Sequence, residues 1–286
     1  MSENGSLVSK VKNFKYSHKY TPPLLITGIL LAAHISFGIL TGYSKLLIAI
    51  GASILTEAAL HRWIVGKWRS FSSAYISGVS VGILIRSPMF WPYALCSMIS
   101  IASKYVLRYK GRHLWNPSNF GVVAMLLLAP GSVAVLSIQW GNNMWAMAVI
   151  WIVGSISIYR LRRFHVCATY VLSFLFFGLI RAYITGDPYL AEISPITGPM
   201  YQLFTFFMIT DPKTTVQSKW GRILVVIVVA FVEMILRLHE AVYAPFYALF
   251  IVGPIAMAVE IWWNDRHSKD ELSTPSKFSA VNFSST

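Results

Sequence analysis

Long apolar runs alternate with short polar connections along almost the whole chain. The first half contains five such runs, at 24–40, 46–65, 71–85, 89–107 and 120–138. The second half contains five more, at 144–159, 166–184, 199–210, 223–236 and 241–262. A run of roughly 20 apolar residues is typical of a helix that crosses a lipid bilayer. The pattern therefore predicts an all-α polytopic membrane protein with about ten transmembrane segments.

The third run of each half is short and interrupted. Glycine and proline bound it in both copies, between residues 76–78 and 86–88 and between residues 196–198 and 210–212. Broken helices are tolerated in a membrane only around a protein-lined cavity, and their matched positions predict two repeats. Because each repeat would contain an odd number of spans, the two copies are expected to be inverted. The alternative is that glycine and proline end ordinary helices here.

The composition supports lipid as the solvent, since 56% of the residues are apolar, 12% are charged and the mean hydropathy is +0.59. The net charge of +13 does not indicate nucleic-acid binding, because the basic residues cluster in short connections between apolar runs. If both termini are cytoplasmic, these clusters follow the positive-inside rule. The Lys and Arg residues that fall elsewhere are Lys45, Arg86, Lys104, Arg181 and Arg237.

We therefore predict a cytoplasmic basic tail at 1–23, a five-helix repeat at 24–142, a second at 143–263 and a disordered cytoplasmic tail at 264–286. The expected location is a bacterial inner or cell membrane, with membrane lipid as the surrounding partner. The two cysteines, Cys96 and Cys167, lie inside apolar runs and are interpreted as small buried hydrophobic residues.

Titratable side chains inside the apolar runs are candidates for function, because burying a charge in a membrane costs about 2.5 to 3.5 kcal/mol on insertion scales. They are Glu57, Lys104, Arg181, Glu233 and Glu260. Glu57 and His61 share one helix face, which suits a metal-ligand pair or a proton relay. A hydrogen-bonded or interfacial histidine is the alternative. The other histidines are scattered, so no metal site is predicted.

Two polar stretches carry the most information. Asn116-Pro117-Ser118-Asn119 can cap a helix that Gly121 leaves open to close approach, and the neighbouring Arg112 makes this end suitable for an anionic group such as phosphate. In the second half, residues 210–215 place hydroxyls and a carboxylate at the end of the interrupted run. Each stretch could equally be a capped membrane interface.

At these two stretches the sequence resembles a family of membrane subunits that includes RnfD and the B subunit of the sodium-pumping NADH:quinone oxidoreductase. The resemblance rests on Lys104, on residues 111–113 with 116–121, and on residues 207–214, in the same order and at similar separation. The sequence is most similar to an RnfD-like branch described as enediyne biosynthesis proteins. The likeness extends over residues 76–250, about 60% of the chain.

The resemblance implies two inverted five-helix repeats, as in urea transporters, and a subunit that takes part in flavin-linked electron transport with other redox-complex subunits. RnfD-like subunits carry FMN on a threonine of an SGAT-type motif, but residues 131–143 contain no threonine, so covalent FMN is not expected. Noncovalent FMN or riboflavin is the expected cofactor. Its candidate binding residues, by motif match, are Arg112, Asn116, Asn119, Thr210, Asp211 and Thr214.

Two other functions stay open. Paired interrupted runs are also typical of a small-solute transporter or channel, and a fold does not itself specify chemistry. A cofactor-free accessory membrane subunit would explain the missing threonine equally well.

Overall fold

The structure is a computed structural model that describes residues 42–68, 70–135 and 144–273, together with Thr27 and His34. The predicted N-terminal tail, nearly all of the predicted first segment at 24–40, and residues 274–286 lie outside the described residues. The expectations for those parts of the chain remain predictions.

Within residues 42–68 and 70–135, the first half has four helices and short extended pieces. The helices are α1 (Tyr43–Val65), α2 (Ser72–Leu84), α3 (Trp91–Val106) and α4 (Pro117–Leu128), and the strands are β1 (Ile85–Arg86), β2 (Arg108–Tyr109), β3 (Arg112–His113) and β4 (Ala134–Val135). β1 pairs with β4, and β2 pairs with β3, both in antiparallel register. The helix α1 packs against α2 and α3, and α3 packs against α4.

The second half has six helices, two of them only five residues long. They are α5 (Met144–Leu161), α6 (Phe164–Thr185), α7 (Tyr189–Ile193), α8 (Pro199–Leu203), α9 (Lys219–Leu238) and α10 (Ala244–Ser273). A 3₁₀ turn (Ser194–Thr197) precedes α8, and a π-helical turn (Phe204–Met208) follows it. The helix α6 packs against α9, α9 packs against α10, and α5 packs against α8.

The described part of the chain is all-α apart from the two-residue strands, which confirms the predicted class. Three of its helices are long and apolar enough to cross a membrane, namely α1, α6 and the Ala244–His267 portion of α10. Between 22% and 39% of their most apolar stretch is buried inside the protein. Their remaining apolar surface faces outward, which is compatible with a membrane protein.

The fifth segment differs from the predicted continuous run at 120–138. The helix α4 ends at Leu128, two residues before Pro130, because proline cannot continue a helix and disfavours the helical conformation in the preceding residue. The 12 residues of α4 span only about 18 Å. The chain then turns back, and Val135 pairs with Ile85 at the end of α2. Both side chains are fully buried, so this extended backbone is enclosed by protein.

Helix α10 continues to Ser273, into the segment for which the sequence predicts a disordered tail. Side-chain pairs explain the extension. Asp265 forms an ion pair with Lys110 of the β2–β3 turn, and the Arg266 guanidinium lies 4.2 Å from the centre of the Trp262 ring. These contacts stabilise the helix just beyond the apolar run, as far as Arg266.

Candidate functional site

A cavity of about 520 Å³ lies between the first-half helices α1 to α4 and the second-half segments α5 and α8 with its π turn. This volume is within the range of small-molecule and cofactor pockets, about 300 to 1,000 Å³. The wall formed by the first half is rich in hydroxyl and charged groups, whereas the wall formed by α5 is largely apolar. The polar lining residues used below are Glu57, Ser73, Ser77, Ser80, Lys104, Arg108, His113, Asn116, Asp211, Lys213 and Thr214.

Three serines form a hydroxyl stripe along α2. Ser73, Ser77 and Ser80 are spaced four and three residues apart, which places them on one face of the helix, and all three line the cavity. The ammonium group of Lys104 on α3 crosses to this stripe and donates to Ser77 Oγ at 2.7 Å and to Ser73 Oγ at 3.3 Å. These hydrogen bonds hold the positively charged ammonium group of Lys104 inside the cavity.

Glu57 on α1 supplies the charge that balances Lys104. Its Oε2 atom lies 4.0 Å from Lys104 Nζ, and its Oε1 atom accepts a hydrogen bond from the Tyr105 hydroxyl at 2.8 Å. Glu57 is only 1% exposed. The sequence singled out Lys104 as a candidate for function, and the structure places its ammonium group inside the cavity.

The opposite wall is apolar and partly aromatic. It consists of Val149 and Val153 of α5 together with Phe206 and Phe207 of the π turn. Phe206 packs directly over Gly154, where an added Cβ atom would lie 2.4 Å from the Phe206 ring atom Cγ. A glycine at this position therefore lets the π turn approach α5 and form the wall.

Asp211 joins the two polar stretches that the sequence singled out. Its Oδ2 atom accepts from Asn116 Nδ2 at 3.1 Å and from Thr214 Oγ1 at 3.0 Å, and its Oδ1 atom accepts from the Lys213 backbone N–H at 3.1 Å. The Asn116 side chain in turn caps α4 by accepting from the Asn119 N–H at 3.1 Å. One carboxylate therefore fixes the start of α4 against the second half.

Basic side chains gather around His113. Burial lowers the pKa of His113 below its usual value, and the positive charges of Arg108, Lys213 and Lys104 lower it further, whereas Asp211 acts in the opposite direction. Around neutral pH this histidine is therefore a neutral group among cations. The cluster provides a positive potential suited to an anionic group on a ligand.

The structure brings four of the six predicted binding residues to the cavity, namely Asn116, Thr210, Asp211 and Thr214. Of these, the Thr210 hydroxyl donates to the Phe206 carbonyl at 2.7 Å, so it stabilises the π turn.

The other two predicted residues lie outside the cavity lining. Arg112 forms an ion pair with Glu260 of α10 at 2.7 Å and donates to the Thr215 carbonyl at 3.3 Å. Asn119 is 1% exposed and donates to the Phe246 carbonyl at 3.2 Å. Both side chains tie α10 to the first half of the chain.

Several lining residues were not identified from the sequence, namely the serines of α2 and Phe206 of the π turn. The spacing of Ser73, Ser77 and Ser80 was a signal for one polar helix face. No comparable signal marked Phe206, because phenylalanine is common in any apolar run.

For His61, the structure favours the alternative of a hydrogen-bonded histidine over a metal-ligand pair or proton relay with Glu57. The His61 ring is half-buried and its Nδ1 atom contacts the Lys67 carbonyl at 2.6 Å, whereas Glu57 faces the cavity. Cys96 and Cys167 are free and buried, as the apolar surroundings predicted.

No protein-family model matches the chain, and no curated protein matches it.

Proposed function

We propose that the chain is a membrane subunit that binds a noncovalent flavin in the cavity and takes part in flavin-linked electron transport together with other redox-complex subunits. The observation that carries this proposal is the two-sided lining of the cavity. Phe206 and Phe207 offer an apolar face for a planar ring, whereas Lys104, Ser77 and Asn116 offer hydrogen bonds to the polar edge of a ring.

The cations around His113 favour FMN over riboflavin. The phosphate of FMN carries negative charge, and Arg108 and Lys213 line the cavity beside His113. The start of α4 lies at the same place, since Asn116, Pro117 and Ser118 also line the cavity, and a helix N-terminus favours anions. A bound flavin would supply one- and two-electron chemistry, and the chain would hold and orient it.

The proposed architecture has ten membrane segments in two inverted five-helix repeats. It is supported by matching packing, because α1 packs against α3 and α3 against α4, just as α6 packs against α9 and α9 against α10. The short helix α2 and the short helix α8 occupy matching positions in the two halves. Both termini would then lie on the cytoplasmic side of a bacterial cell membrane.

Purification tests the flavin proposal. We expect the protein, extracted in mild detergent, to show flavin absorption and to release the flavin without covalent linkage when it is denatured. Phe207→Leu should reduce the amount retained, because it removes part of the aromatic wall. Phe176→Leu is a matched control, since Phe176 lies exposed on α6. Equal flavin retention by both variants would remove the cavity as the site, and a flavin-free preparation would contradict the proposal.

The hydroxyl stripe of α2 favours a second candidate, a transporter or channel for a small polar solute. Ser73, Ser77 and Ser80 could replace part of the hydration shell of such a solute. Proteoliposome flux of small neutral amides and alcohols tests this candidate. Flux that Ser77→Ala reduces would support transport, whereas no flux together with a bound flavin would support the electron-transport proposal.

A further inference from the structure

A second buried polar cluster lies in the second half of the chain. It consists of Glu233 and Arg237 of α9, Tyr170 of α6 and Tyr201 of α8. These four residues are absent from the lining of the cavity described above. The cluster therefore has no part in the proposed flavin site.

The Glu233 carboxylate is enclosed and bonded on both oxygens. It is 0% exposed, and it accepts from the Tyr170 hydroxyl through Oε2 and from the Tyr201 hydroxyl through Oε1, both at 2.6 Å. Tyr170 and Tyr201 are themselves 0% and 2% exposed. Three separate helices thus contribute to the surroundings of one acidic group.

The positive charges nearby are held apart from this carboxylate. Arg237 donates to the Tyr201 hydroxyl at 2.7 Å, so it reaches Glu233 only through that hydroxyl. Arg181 also acts electrostatically on Glu233, but its guanidinium pairs with Glu192 at 2.6 Å. Phe174 lies between the two arginines, with guanidinium-to-ring distances of 5.1 Å for Arg181 and 5.8 Å for Arg237. Glu233 therefore lacks a direct ion pair within the described residues.

The hydrogen-bond pattern indicates how the charge could be neutralised. A phenolic oxygen can donate one hydrogen bond and accept others. Tyr201 already accepts from Arg237, whereas Tyr170 makes no hydrogen bond other than the one to Glu233 among the described residues. If Glu233 gained a proton, its new O–H group could donate to Tyr170 after rotation of the Tyr170 hydroxyl. The heavy atoms would not need to move.

We propose that Glu233 is a reversible proton-binding site. It alternates between a carboxylate that accepts from both phenols and a carboxylic acid that donates to Tyr170. The proton comes from water and forms an O–H bond on Glu233, and no electron is transferred. The half-buried Arg237 keeps its proton and holds the Tyr201 hydroxyl on Oε1, so the proton is bound on Oε2, which faces Tyr170. A metal ion is disfavoured, because phenolic hydrogens already point at both carboxylate oxygens.

Infrared spectroscopy during a pH titration of the purified full-length protein tests this proposal. We expect a carbonyl-stretching band of a buried carboxylic acid that grows as the pH falls and that is absent from Glu233→Gln. Glu240→Gln is the matched control, because Glu240 is an exposed glutamate just beyond the same helix. The control should keep the band. Because Glu57 is also buried, the comparison is between spectra of the two proteins. Identical titrating bands in the wild type and Glu233→Gln, or no such band in the wild type, would overturn the proposal.

Tyr170→Phe provides a second test that keeps the carboxyl group and nearly the same side-chain volume. A hydrogen bond to a charged carboxylate is stronger than one to a neutral acid, so losing Tyr170 weakens the ionised form more. We expect the midpoint of the band to move to higher pH, by roughly tenfold in proton affinity. An unchanged midpoint would overturn the assignment.

Discussion

Replacing Lys104 by methionine removes the ammonium group that the serines of α2 hold inside the cavity. The change puts a long apolar side chain in place of the lysine and removes the ammonium group that lies 4.0 Å from the Glu57 carboxylate. The side chains of Lys104 and Glu57 are 10% and 2% exposed, so solvent can screen the pair only weakly. The hydrogen bond from the Tyr105 hydroxyl would still stabilise part of the Glu57 negative charge.

The size of the effect follows from the distance between the charges. For the 4.0 Å separation of Lys104 Nζ and Glu57 Oε2, Coulomb's law with an effective dielectric constant of about 20 gives about 4 kcal/mol. Removing one partner of a buried ion pair typically costs about 3 to 5 kcal/mol. We therefore expect Lys104→Met to lower the free energy of unfolding by about 3 kcal/mol or more at neutral pH. Thermal and denaturant unfolding of the protein in detergent micelles would measure this loss.

A double variant separates the charge effect from lost packing. Glu57→Gln combined with Lys104→Met removes both charges, so it should be more stable than Lys104→Met alone. Lys67→Met is the control, because Lys67 is exposed in the connection after α1. Two results would contradict a stabilising Lys104–Glu57 pair. One is a free energy of unfolding of Lys104→Met within about 1 kcal/mol of the wild-type value, and the other is a double variant whose loss equals the sum of the two single losses.

Three further predictions concern the rest of the site and its scaffold. Asp211→Asn should lower the free energy of unfolding by about 1.5 to 3 kcal/mol, because an amide has one accepting oxygen where the carboxylate has two that together accept three hydrogen bonds. An unchanged unfolding midpoint would refute this. Gly78→Ala should cost about 1 to 3 kcal/mol, since the new Cβ would lie 2.6 Å from Ile50 Cα; wild-type thermal stability would show that α1 and α2 are not so tightly packed. Because the pKa of His113 is lowered in the folded protein, the unfolded chain binds this proton more tightly. The free energy of unfolding should therefore fall as the pH drops below about 6.5. His113→Gln should lose that part of the pH dependence when unfolding is measured at several pH values.

The all-α class could be predicted because apolar runs and their breakers are local signals. The two polar stretches could also be identified from the sequence, since capping residues and the carboxylate of Asp211 stand out in an apolar chain. The structure adds that they meet, with Asn116 donating to Asp211 across a separation of 95 residues. Distance along the sequence gives no information about such a contact.

Arg112, whose assignment to a binding site stays a prediction, illustrates a limit of sequence reasoning. A basic residue beside a helix N-terminus suits an anion, but here the guanidinium is satisfied by Glu260, which lies 148 residues later. The early end of α4 was a failure of a different kind. Pro130 was visible in the apolar run at 120–138, and its effect on the helix outweighs hydropathy because it removes a backbone donor and clashes with the preceding turn.

An equilibrium titration of the purified protein with FMN tests the central claim most directly. Fluorescence quenching of added FMN should follow a saturable isotherm once any resident flavin has been removed. Binding should be weaker for riboflavin, which lacks the phosphate, and for Lys213→Ala, whereas Lys219→Ala, at the exposed start of α9, should bind like the wild type. Quenching that is not saturable would contradict a flavin site in the cavity. Equal affinity for FMN and riboflavin in the wild type, together with equal affinity for FMN in the wild type, Lys213→Ala and Lys219→Ala, would also contradict it.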